Sequence, residues 1–175
     1  MAAIIINLFG GPGSGKSTTA SGVFYNLKVK KQGIVAELVL EYAKSLCWES
    51  REKALTNQIY ILGKQLHKIE IVANEVDVIV MDTSLLLGAI YAPADYYSSF
   101  NTLLLEIYNS MDNMNFYIER HKPYLAVGRY QNEQEAKEVD VDVKTWLDDN
   151  NIVYDTVPGT EEGVEKITEY VLERL

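Results

Sequence analysis

The clearest pattern along the chain is the apolar run Ala3-Ile4-Ile5-Ile6-Asn7-Leu8-Phe9, rich in β-branched residues and without strict polar alternation. Such a run reads as a parallel strand buried on both faces. Residues 16–31 contain no proline, and Val23, Leu27 and Lys30 recur at helical spacing up to Gly33, which reads as a helix stop. A second strand is expected at 33–40, with Glu41 at its end. Between 53 and 74, Leu55, Ile59, Leu62, Leu66, Ile69 and Val72 fall at three- and four-residue steps, which predicts one long amphipathic helix. Residues 76–82 predict a third strand ending in Asp82. A helix over 95–110 follows from Leu103, Leu104, Ile107 and Tyr108, and 115–118 is a short β-prone stretch. Ala136, Val139, Val143, Trp146 and Leu147 share one face of a helix at 133–149, after which a strand at 152–154 and a helix at 161–175 are expected. Alternating strands and helices imply a parallel α/β sheet with right-handed crossovers.

The first strand runs into Gly10-Gly11-Pro12-Gly13-Ser14-Gly15-Lys16-Ser17, a full match to G-x-x-x-x-G-K-[ST] with the strand before it and the helix after it that the motif requires. Small residues let successive backbone N–H groups turn inward onto phosphate oxygens. Lys16 can reach the β- and γ-phosphates, and the Ser17 hydroxyl can ligate magnesium. The start of the helix adds a favourable dipole. Gly11, Pro12, Gly13, Ser14, Gly15, Lys16, Ser17 and Thr18 are therefore the expected nucleotide-binding residues, with ATP or GTP and Mg2+ as the ligands. The glycine spacing differs from the dinucleotide fingerprint, and Lys16 favours a nucleoside triphosphate.

In a parallel sheet, ligands bind beyond the carboxyl ends of the strands, so Glu41 and Asp82 should face the same crevice as the loop. Asp82 can approach magnesium near Ser17, or cap the turn that begins at Thr83. Glu41 can accept the proton of an attacking hydroxyl. Trp48 and Arg51, shortly after it, are candidates for base stacking and phosphate contact, although Trp48 could equally be a core residue. Arg120, His121, Lys122 and Arg129 form a basic stretch around Pro123 and Gly128, next to an acidic helix. A segment closing at about 120–132 would bring Arg120 and Arg129 to the migrating phosphate as catalytic cations beside Lys16. Surface pairing with Glu133, Glu135 and Glu138 is the plainer explanation of the same charges. His67 and His121 stand apart from any second metal-ligating residue and read as structural or surface positions.

Composition narrows this picture. With 175 residues, 47% of them apolar, the chain suits one core, and residues 1–175 are expected to form a single domain. A net charge of -9 repels phosphate backbones on average, so a phosphate site must be a local basic pocket. Cys47 is the only cysteine, which excludes an internal disulfide and a CxxC metal site and suits a reducing, cytoplasmic setting. The run at 2–9 lacks a basic leader and is too short to be a signal or a membrane span.

Residues 4–18, 38–48, Asp82-Thr83-Ser84 and 128–137 together resemble small P-loop kinases of phage type. The resemblance implies a three-layer α/β sandwich whose five-stranded parallel sheet has the order 2-3-1-4-5, with a lid after the fourth strand. It implies an ATP-dependent kinase acting on a hydroxyl of a nucleoside, nucleotide or hydroxymethylated base, with Glu41 preparing the acceptor and Trp48 lining its pocket as in deoxynucleoside kinases. One similar phage branch phosphorylates 5-hydroxymethyluracil within DNA, which makes DNA a further candidate partner; a phage-encoded protein of this kind would work in the host cytoplasm. The reading from a different class is a regulatory or motor P-loop NTPase that hydrolyses ATP or GTP.

Overall fold

The first strand, β1 (Ile4–Phe9), is buried along its whole length in the computed structural model, which describes residues 3–30 and 32–175. Residue 31, the expected end of the first helix, lies outside the described residues. Side chains alternate across a strand. Ile6 and Leu8 enter one core with Val23 and Leu27 of α1 (Lys16–Lys30), and Ile5 and Phe9 enter a second core on the opposite face. Asn7 shares that second face and is buried, which would be costly without partners. Its Nδ2 donates to the side chains of Asn113 at 2.8 Å and Asn115 at 3.3 Å on the neighbouring strand.

Five strands run parallel in the order β2 (Ala36–Val39), β3 (Val78–Met81), β1, β4 (Asp112–Glu119) and β5 (Asp155–Pro158), the 2-3-1-4-5 arrangement expected. Helices α1 and α8 (Glu161–Arg174) cover one face; α4 (Gln58–Glu70), α6 (Phe100–Asn109) and α7 (Glu133–Asp149) cover the other. Because every strand points the same way, Gly10, Glu41, Asp82, Arg120 and Gly159 follow strand ends along one edge. Among the described residues no helix is long and apolar enough to cross a membrane.

Several elements differ from the sequence pattern. Residues 42–48, for which no helix was expected, form α2 (Tyr42–Trp48), and the long helix expected at 53–74 is divided into α3 (Glu52–Leu55) and α4. The break falls at Asn57, whose side chain accepts the Tyr60 N–H at 3.1 Å and so caps a new helix. Leu55 lines a cavity while Leu62 and Ile69 enter the core, yet all fall on the same three- and four-residue steps, so apolar spacing does not register the interruption. A 3-10 turn at Leu85–Leu87 and the short α5 (Gly88–Tyr91) follow β3 and precede α6. The fourth strand begins earlier than its β-prone centre, because the Asn7 ladder recruits Asn113 and Asn115.

The last strand is not at 152–154. Asn151 turns left-handed with φ +54°, and the Ile152 N–H returns to the Leu147 carbonyl at 2.9 Å, which closes α7. Val153 is then 86% exposed, and pairing with β4 begins at Asp155. The β-propensity of Ile152, Val153 and Tyr154 reflects single residues; the helix stop fixes the register.

Candidate active site

Gly13 and Gly15 adopt φ of +76° and +117°, values that residues with a Cβ avoid, and these reversals wind the loop around an open centre. Lys16 Nζ donates to the carbonyls of Gly10 at 2.7 Å and Gly11 at 3.0 Å, held beside the turn. Burial lowers its pKa, while Glu41, Asp82 and Asp140 act in that order to raise it. The same ammonium favours ionised Glu41, but burial is the larger effect and raises the Glu41 pKa. Donor-side cation and acceptor-side carboxylate therefore share one electrostatic site.

One cavity of about 750 Å3 joins them. Pro12, Gly13 and Gly15 through Thr18 line one part, Glu41 lines it beside them, and Tyr42, Trp48, Leu55, Gln58, Leu62 and Tyr91 line the rest. The volume suits a small organic ligand in addition to phosphates. Glu41 occupies the N-cap position of α2, but its side chain caps nothing, and among the described residues its carboxylate is uncommitted. Gln58 is buried; its Nε2 donates to the Leu55 carbonyl at 2.6 Å, which turns the amide edge toward the cavity.

Residues 120–132 form an irregular segment across this cavity. Tyr124 lies at its centre, with the guanidinium groups of Arg120 and Arg129 at 5.9 and 5.6 Å from its ring. Farther along, a Cβ on Gly128 would stand 2.7 Å from Trp48 Cζ2, so the segment reaches from the phosphate loop to α2. The surface-pairing explanation of the basic stretch fails for both arginines. Glu133 pairs with Lys137 at 2.9 Å, Glu135 forms a capping box with Asn132, and Glu138 accepts from Gln134. Arg129 instead donates to the carbonyls of Leu125 and Val127, and Arg120 pairs with Asp140 at 2.9 Å.

Among the described residues, four buried side-chain atoms have no hydrogen-bond partner: Ser14 Oγ, Asp82 Oδ1, Thr83 Oγ1 and Arg120 Nη1. All belong to the loop or to residues just past β3 and β4. Unpaired polar groups are destabilising when buried, so their concentration at one edge marks a place shaped for a polar ligand. A donor set of hydroxyl, carboxylate and guanidinium fits a phosphate chain with a hard cation.

A family profile described as an AAA domain matches residues 5–165. This chain belongs to that family. No curated protein matches it. Two solved structures of deoxyadenosine kinase from M. mycoides share the fold of this AAA domain. One, with bound dATP, has a TM-score of 0.57 and 18% identity over 97% of this chain and 98% of that chain. The other, with the products dCMP and a flexible dCDP, has a TM-score of 0.55 and 16% identity over 97% of each.

Not every residue singled out in the sequence reaches the cavity of this AAA domain. Ser17, Thr18, Lys16, Glu41, Trp48 and Arg129 line it, whereas Asp82, Arg120, Gly11 and Ser14 are not part of its wall. Arg51 lies away from the wall and faces Glu49 at 3.4 Å on the surface. Trp48 is 62% exposed, which rules out the core-residue reading. Ser84 is a cap, accepting the Leu86 N–H at 3.3 Å. Asp140, Tyr124 and Gln58 carry no motif, and only folding brings them to the site.

Proposed function

We propose that this AAA domain is a phosphotransferase that moves the γ-phosphoryl group of ATP to a hydroxyl of a nucleoside or nucleotide. The observation that carries the reading is the single cavity holding Lys16 and the loop amides beside an uncommitted Glu41 and an aromatic, amide-bearing wall. A hydrolase needs room for water; this cavity has room for a base and a sugar. The chemistry of the deoxyadenosine kinases, which share this fold and bind deoxynucleotides, supports the same direction.

In this mechanism, residues 1–175 act as one domain in the cytoplasm, with 120–132 as the lid. The amides of 13–18 donate to phosphate oxygens, and Lys16 Nζ exchanges the Gly10 and Gly11 carbonyls for the β- and γ-phosphate oxygens. Ser17 and Asp82 would hold Mg2+, which would neutralise phosphate charge there. Glu41 accepts the proton of the acceptor hydroxyl as its oxygen bonds to the γ-phosphorus and the bridge to the β-phosphate breaks, releasing ADP. Arg120 and Arg129 stabilise the charge that spreads over the migrating group, and the lid excludes water. Trp48 and Gln58 hold the acceptor base by stacking and by the amide.

A bisubstrate ligand, adenosine joined to deoxyadenosine through a pentaphosphate, tests this arrangement. It is expected to bind about 10- to 100-fold more tightly than ATP and to be displaced by excess free nucleoside as well as by ATP, because one linker spans two adjoining sites. Binding no tighter than ATP and insensitive to nucleosides would overturn the reading in favour of simple NTP hydrolysis.

A further inference from the structure

The loop, the lid and α7 meet at a carboxylate that the transfer chemistry above does not use. Asp140 stands two turns into α7, and its side chain is largely buried, with 18% exposure. Oδ1 accepts the Gly11 N–H at 2.6 Å. Oδ2 accepts from Arg120 Nε at 3.0 Å and Nη2 at 2.9 Å, a two-pronged pairing that fixes the guanidinium plane. Arg120 Nη2 also approaches the Ala136 carbonyl at 3.4 Å. Only Nη1 is left over. It is buried without a partner and lies 3.3 Å from the point where a Gly13 side chain would begin, directly over the loop.

Packing explains why the carboxylate cannot drift. A Cβ on Gly11 would stand 2.5 Å from the Ala136 carbonyl and 2.7 Å from Asp140 Oδ1, so this turn of α7 is seated on the loop backbone itself. The Tyr117 hydroxyl donates to the Asp140 carbonyl at 3.2 Å and holds the same turn against β4. An acidic group at a phosphate loop would by itself repel a triphosphate. Here it is neutralised by the arginine it orients.

We infer that Asp140 is a positioning residue for phosphoryl transfer: it anchors the Gly11 edge of the loop and holds Arg120 so that Nη1 faces the transferred phosphate. The inference rests on the transfer reading for the role of Arg120, but its geometry would serve equally if water were the acceptor. Asp140 thereby ties the first residue of the lid to the loop before nucleotide arrives, and Arg120 need not be recruited by lid closure.

Asp140→Asn separates the two contacts. The amide oxygen can still accept from Gly11, while the amide nitrogen presents a donor to a guanidinium that has only donors. We expect Asp140→Asn to lower kcat by about 10- to 100-fold with the KM for ATP within about threefold, the pattern of an interaction made chiefly in the transition state. Arg120→Gln should lose a similar factor, and Asp140→Asn with Arg120→Gln should be no slower than Arg120→Gln alone, since both changes remove one unit. Melting curves and equilibrium ATP binding confirm that each variant is folded. Wild-type turnover in folded Asp140→Asn, a raised KM with unchanged kcat, or losses that multiply in the double variant would overturn the inference. Release of labelled phosphate from γ-labelled ATP, to an acceptor or to water, serves as the readout. Loss of acceptor labelling in the wild type with hydrolysis intact would count against the proposed function alone; failure of the cycle while the wild type labels an acceptor would count against Asp140 alone.

Discussion

Glu41→Gln is expected to slow phosphoryl transfer by about 10^2- to 10^4-fold while leaving ATP affinity within about threefold, measured by steady-state transfer and by equilibrium ATP binding. The amide keeps the size and hydrogen-bonding edge of the carboxyl but cannot take the acceptor proton. The pH profile separates this from a loss of shape. Burial raises the Glu41 pKa above its ordinary value of 4.5, against the opposing pull of Lys16. The base form is thus lost on acidification at a higher pH than an exposed glutamate would show, and wild-type kcat/KM should fall along an acid limb that is missing from Glu41→Gln. Stability should move the other way. A carboxyl whose folded pKa is raised binds its proton more tightly in the native state, so the native state loses stability as pH rises from the unfolded value through the folded one. At neutral pH the ionised Glu41 is a burden on the fold, and Glu41→Gln should melt higher than wild type. Full activity in the variant, or an unchanged acid limb, would remove Glu41 from the chemistry.

Lys16→Met carries the other large effect, a loss of about a thousandfold in transfer with ATP binding weakened by about tenfold. The lysine belongs to the loop itself, and three carboxylates, on Glu41, Asp82 and Asp140, act on its charge. Methionine keeps much of the stem's volume and deletes the ammonium. Its removal also has a sign at a distance. Lys16 favours the ionised form of Glu41, so without it the Glu41 pKa rises further, and the acid limb of the residual activity should move to higher pH than in wild type. An acid limb that stays in place would mean that the two groups do not share one site. Loss of ATP binding with the remaining turnover unaffected would confine Lys16 to holding the nucleotide.

The phosphate loop and the alternation of strands and helices were legible because both rest on local patterns, whereas the strand order 2-3-1-4-5 came from the resemblance to P-loop kinases. Gly10 through Ser17 must have small residues at fixed offsets, and a strand buried on both faces must be largely apolar, with Asn7 the satisfied exception. The placement of Glu41 and Asp82 at one edge was legible for a topological reason, since strand ends in a parallel sheet share an edge. What escaped depends on contacts across the chain. Asp140 looks like one acid among many on α7, and only the seating of that helix on Gly11 distinguishes it. Tyr124 is one aromatic in an irregular segment until two arginines stack on it, and Gln58 becomes part of the site only through the helix break at Asn57. Arg51 erred in the opposite direction: its position near Trp48 in sequence suggested a shared pocket, but the turn after α2 faces it toward Glu49. The displaced last strand has the same origin, for a left-handed Asn151 outweighs three β-prone residues.

The central claim is that the γ-phosphoryl group leaves for a hydroxyl bound beside Glu41. The direct measurement is the fate of label from γ-labelled ATP with Mg2+, in the presence of free nucleosides, nucleotides and DNA containing 5-hydroxymethyluracil, with wild type and Glu41→Gln side by side. The account predicts label on a nucleoside or nucleotide hydroxyl, abolished in the variant; label on DNA alone would move the acceptor to a modified base while keeping the chemistry. Label appearing only in water across the whole panel, at the same rate in both proteins, would contradict it.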